Sequence, residues 1–100
     1  MNSAVTRVRA VLAELDAAGA GLRCNDLISK LRTLGFDVRD GRKPGHKVLT
    51  HPGLPAFTSS SFTCGHGRNP EIKPVYVRNV AAVVRNHEAA LSEYLSVEHY

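Results

Sequence analysis

The stretch NDLISKLRTLGFDVRDGRKPGHKVLTH, residues 25–51, decides the fold, because its apolar residues change period once along its length. Leu27, Ile28, Leu31 and Leu34 recur at helical spacing, so they form one stripe of a helix. Asn25 stands in the N-cap place, and Gly35 stands where a left-handed C-terminal cap belongs. From Phe36 the pattern alternates: Phe36-Asp37-Val38-Arg39 reads as a short strand leaving the helix directly, and Asp40-Gly41 follows as a turn. Pro44-Gly45 punctuates again, and HKVLTH at 46–51 offers the β-branched and apolar residues of a second strand.

Upstream, Val5, Val8, Val11, Leu12, Leu15 and Ala18 put one apolar face on a helix near 3–18, stopped by Gly19 and Gly21. Downstream, AFTSSSFT at 56–63 reads as a third strand, antiparallel to the second and joined to it around HPGLP. CGHGRNPEIK at 64–73 has no apolar period and reads as a loop into Pro74, a residue suited to the first turn of a helix. Val77, Val80, Val83, Val84, His87, Leu91 and Leu95 then keep helical spacing, which predicts one last helix over about 75–95, with a strand as the alternative because valines lower helix propensity. Helix, helix, strand, strand, strand, helix implies an α+β domain: a three-stranded antiparallel sheet with helices on one face, α-β-β-β-α, plus an extra N-terminal helix.

At 100 residues, 43% hydrophobic and 22% charged, the chain has the size and composition of one domain. The apolar share excludes disorder, and no uncharged stretch approaches the roughly 20 residues that span a bilayer. Arg7, Arg9, Glu14 and Asp16 interrupt the N-terminal apolar residues, so a secretory signal is not expected there and the cytoplasm is the expected compartment. Cys24 and Cys64 are accordingly expected as unbridged thiols.

Thirteen Lys and Arg against nine Asp and Glu give a net charge of +4. The excess sits in residues 24–73, where eight cations (Lys30, Arg32, Arg39, Arg42, Lys43, Lys47, Arg68, Lys73) face four acids. A basic middle of this kind suits a polyanionic partner, although solvated surfaces carry similar charge. The chain shows no phosphate loop, zinc-finger spacing, nucleophile elbow or carboxylate pair. Asp37 and Asp40 flank a turn and read as turn formers. Cys64, His66 and His46 or His51 lack the paired spacing of structural zinc, and no metal is expected.

Three of the five histidines, His46, His51 and His66, fall near Arg42, Lys43, Lys47 and Arg68. Histidine transfers protons near neutral pH, and adjacent cations hold a phosphate and stabilise its developing charge, so this cluster suits phosphodiester chemistry. Against it stands the plain reading of surface or turn histidines.

Leu31, Leu34-Gly35-Phe36, Gly45-His46, His51-Pro52, His66-Gly67 and the EIKP of 71–74 carry a resemblance to the HicA toxin family from about Asp26 to Arg85. At the histidine this chain reads Pro44-Gly45-His46-Lys47 where family members often read Gly-Ser-His. The resemblance implies a double-stranded-RNA-binding-like fold, metal-independent cleavage of mRNA without a cofactor, and a HicB-type antitoxin as partner. Carried over by position, His46 is the catalytic residue, Lys47 a phosphate contact, and His66 a second catalytic candidate; Arg42, Lys43 and Arg68 join Lys47 as RNA contacts. The family core then spans 24–87, with residues 1–23 a helical extension and 88–100 a helical tail that serve either to pack on the sheet or to mediate self-association. A non-catalytic RNA-binding module and a protein-interaction domain are the alternative readings.

Overall fold

The computed structural model describes residues 3–98; residues 1, 2, 99 and 100, at the outer ends of the expected extension and tail, lie outside the described residues. The elements run α1 (Ser3–Ala17), α2 (Cys24–Thr33), β1 (Asp37–Asp40), β2 (His46–Thr50), β3 (Ser60–Thr63), α3 (Pro74–Asn86) and α4 (Glu88–Glu98). The strands form one antiparallel sheet in the order β1-β2-β3, so the class is α+β as the sequence implies.

Helix α2 closes as its C-terminal residues dictate. The N–H of Gly35 bonds to the carbonyl of Arg32, and that of Phe36 to the carbonyl of Leu31, the paired bonds of a Schellman ending. Its beginning differs from expectation. Arg23, not Asn25, is the cap residue, and its side chain makes no capping bond. The Asn25 N–H instead donates to the side-chain carbonyl of Asn69 at 2.9 Å, and the Cys24 N–H to the carbonyl of Pro70 at 2.9 Å. The loop after β3 therefore caps α2 from a distance of more than forty residues.

That fold-back also joins the cysteines: Cys24 and Cys64 form a disulfide, with Cα atoms 5.7 Å apart, where unbridged thiols were expected. The bond joins the first residue of α2 to the residue following β3.

The single helix expected over 75–95 is two. At His87 the α3 bonding ends, its N–H donating to Val84, and its carbonyl accepts the first bond of α4 from Leu91. Val77, Val80 and Val84 are buried on α3, which packs against β3 and α1, and Leu91 and Leu95 are buried on α4, which packs against α1. β3 is also shorter than expected, because Phe57 turns inward, 5.9 Å from the Phe36 ring and 5.4 Å from that of His87.

Val38, Leu49 and Phe62, one from each strand, join the buried cluster with α2 and α3. Ala4, Val8, Val11, Leu12 and Leu15 of α1 belong to the same cluster. Ion pairs run from α1 to every other helix: Glu14 to Lys30, Asp16 to Arg85 at 2.8 Å and Arg9 to Glu88 at 3.0 Å.

Candidate functional site

The turn before β2 aims His46. Lys43-Pro44-Gly45-His46 is closed by the His46 N–H donating to the Lys43 carbonyl at 3.1 Å, with proline at the second place and Gly45 at φ +80° in the third. This is a type II turn, whose third place excludes most side chains. The Gly45 carbonyl then accepts from the Cys64 N–H at 2.7 Å, tying the turn to the end of β3.

Side chains alternate across a strand, so His46 shares a face with Val48 and Thr50, and Lys47 shares the other with Leu49. His46 pairs in register with Thr63. On this face Arg39, Ser61 and Thr63 are exposed and His46 and Val48 half-buried. A hollow of about 650 Å³ is lined by Gly41, Arg42, Lys43, Pro44, His46, Val48 and Thr63. Arg42 and Lys43 are exposed and, among the described residues, make no ion pair, so both charges are available to an anion.

Lys47 is on the opposite face. It pairs with Asp40, and the bond and charge of Lys47 hold the Asp40 carboxyl below the usual carboxylate range. It lines a groove with Asn25, Ile28, Ser29 and Arg32 of α2, and a smaller hollow of about 200 Å³ with His66, Arg68 and the two disulfide cysteines. The residues singled out from the sequence thus fall into two groups either side of the Pro44-Gly45 turn. His46 stands with Arg42 and Lys43; Lys47 stands with His66 and Arg68.

His51 is a core histidine. Its Nε2 lies 2.8 Å from the Leu34 carbonyl and its Nδ1 accepts from the Gly53 N–H at 3.0 Å, an arrangement that requires the neutral ring protonated on Nε2. Its ring meets Phe36 and Tyr94 edge-on. Burial, chiefly, pushes its pKa below the ordinary histidine value; the bond to Leu34 opposes the shift, and the nearby His87 adds to it. With both nitrogens engaged, and with Cys64 bonded to Cys24, neither residue is free to ligate a metal. No group of three or more metal-ligating side chains assembles among the described residues.

The structure adds residues that the sequence reading did not single out. Thr63 is the cross-strand partner of His46, and Gly41 lies beneath its ring. Strand alternation was the available signal: it places Lys47 and His46 on opposite faces whatever the register. No helix among the described residues is long and apolar enough to cross a membrane. Compared with known proteins, the chain matches no family model, no curated protein and no solved structure.

Proposed function

We propose that this chain is an endoribonuclease of the HicA type that cleaves mRNA without a metal, the toxin of a type II toxin–antitoxin pair with a HicB-like protein as its partner. The observation that carries the reading is the placement of His46, half-buried in the lining of a hollow beside the exposed Arg42 and Lys43. The order α2-β1-β2-β3-α3 agrees with the double-stranded-RNA-binding-like core that the resemblance implies.

In this mechanism His46 takes the proton of a ribose 2′-hydroxyl as that oxygen attacks the adjacent phosphorus. The bond to the 5′-oxygen breaks, leaving a 2′,3′-cyclic phosphate, and the departing oxygen takes up a proton. Arg42 and Lys43 hold the phosphate oxygens as negative charge builds on them. Thr63 is a hydroxyl partner for the ribose or the phosphate at the same wall. His66 lines the adjoining hollow, which shares Pro44 and Thr63 with that of His46, and is the candidate acid for the leaving oxygen.

The test is cleavage of a defined RNA by purified wild type and His46→Ala. General acid–base catalysis contributes about 10²–10⁴-fold, so the variant should lose at least 100-fold in rate and keep RNA affinity within a few-fold. Equal loss of affinity and rate would support a non-catalytic RNA-binding module instead. Induced expression in a bacterial host provides the second arm: wild type arrests growth and fragments mRNA, and His46→Ala does neither.

A further inference from the structure

The hollow beside His46 continues past Thr63. Pro44 and Thr63 also wall a second concavity of about 280 Å³, completed by Cys64, Gly65, His66, Glu71, Lys73 and Tyr76. Its volume falls just short of the roughly 300 to 1,000 Å³ of drug-sized ligand sites and suits one planar ring system rather than an extended ligand.

The lining is chemically mixed in a particular way. Tyr76, in the first turn of α3, is half-buried, packed against the core and open to the hollow. Lys73 and His66 are exposed at the rim, and Lys73 makes no ion pair among the described residues. Glu71 is also exposed, with Arg23 at 3.7 Å offsetting its charge. An aromatic face beside cations is the combination that binds unstacked bases of single-stranded nucleic acid, the ring stacking the base and the cations meeting the backbone. A paired base inside a duplex cannot present its face to such a ring.

We propose that this second hollow is a subsite for one unpaired nucleotide of single-stranded RNA, its base stacked on Tyr76 and its phosphate met by Lys73. The inference deepens the ribonuclease reading and rests on it for the location of the neighbouring bond. Because Pro44 and Thr63 are common to both hollows, the nucleotide bound here adjoins the one at His46, and the substrate is single-stranded on this side of the cut. Glu71 can only accept hydrogen bonds, so the subsite favours a base that presents an amino group over uracil, whose pairing edge carries one N–H between two carbonyl oxygens.

The experiment is fluorescence anisotropy with end-labelled ten-nucleotide adenosine and uridine homopolymers and a short RNA duplex, on the full chain carrying His46→Ala so that nothing is cut. The adenosine strand should bind more tightly than the uridine strand and the duplex. Adding Tyr76→Ala should weaken adenosine-strand binding about 5- to 150-fold, the range that loss of one stacked base gives, while Tyr76→Phe keeps it. Should Tyr76→Ala fail to fold, Lys73→Ala, an exposed change, takes its place and should lower affinity together with the steepness of its salt dependence. Unchanged affinity in the Tyr76→Ala or Lys73→Ala protein, or preference for the duplex, overturns the subsite. Cleavage by wild type with no dependence on Tyr76 leaves the ribonuclease and removes the subsite; Tyr76-dependent binding with no cleavage does the reverse.

Discussion

The imidazole of His46 lies against the backbone of Gly41, so that a Cβ at residue 41 would stand 3.0 Å from its Cγ, 3.1 Å from its Cε1 and closer still to its Nδ1. Gly41 is not in the left-handed region, and the three atoms nearest to a Cβ there all belong to the histidine ring. Gly41 accordingly sets where the ring can rest.

Gly41→Ala should therefore displace the ring without disturbing the fold. Misplacing a reacting group by about 1 Å can cost on the order of 100-fold in rate, and under the proposed role of His46 a loss of that order is expected with the melting temperature nearly unchanged. Cleavage assays beside thermal unfolding check it. Full activity in the alanine variant would mean that the ring position seen here does not matter.

Stability should fall as pH drops below about 6.5, the ordinary histidine value, because the native pKa of His51 lies beneath it. Over that window the unfolded chain binds a proton that the folded chain refuses, so the contribution is complete above 6.5 and is lost as pH falls toward the native value. Protonating Nδ1 also sets a donor against the Gly53 N–H. Urea midpoints from pH 8 to pH 5 should decline in wild type and stay flatter in His51→Gln. The Asp40 carboxyl titrates below its ordinary 3.8 and so acts outside this window.

Opening the Cys24–Cys64 bond should cost about 4 kcal/mol, the chain-entropy expectation for a loop of this size. The loop spans a separation of 40 residues. Denaturant unfolding with and without a dithiol reductant, beside the double variant Cys24→Ala and Cys64→Ala, measures the difference. Equal midpoints would show that the cross-link contributes nothing.

Helix α1 should be held by its apolar stripe rather than by its ion pairs. Leu15 is buried, at 3% exposure, and Leu15→Ala should cost about 2–5 kcal/mol. Arg9 is 72% exposed in its pair with Glu88, and Arg9→Ala should cost less than about 1 kcal/mol. The opposite ranking in chemical denaturation would reverse the assignment.

The elements that the sequence made legible are those whose signals are local. Periodic leucines place α2, Gly35 ends it and alternation from Phe36 starts β1, each within a few residues of where the chain adopts it. The break at His87 was hidden because its neighbours Val84 and Leu91 keep helical spacing straight through it, and both are buried on either side of the bend. The cap from Asn69 and the bond between Cys24 and Cys64 depend on a loop returning to a helix it left long before, and no local pattern encodes that return. At the candidate site, His46 and its two cations were readable from proximity in the chain. Tyr76 was not, because it reaches the same wall only through the docking of α3 beside β3.

With its ends joined through sulfur, the chain from residue 24 to residue 64 is a covalent circle that contains α2 and all three strands, while α1, α3 and α4 leave it as two arms. A break inside the circle does not divide the molecule. If a protease opened the exposed Arg42–Lys43 bond at the hairpin tip, the two cations beside His46 would sit on opposite sides of the cut, yet both pieces would still migrate as one until the sulfurs were parted.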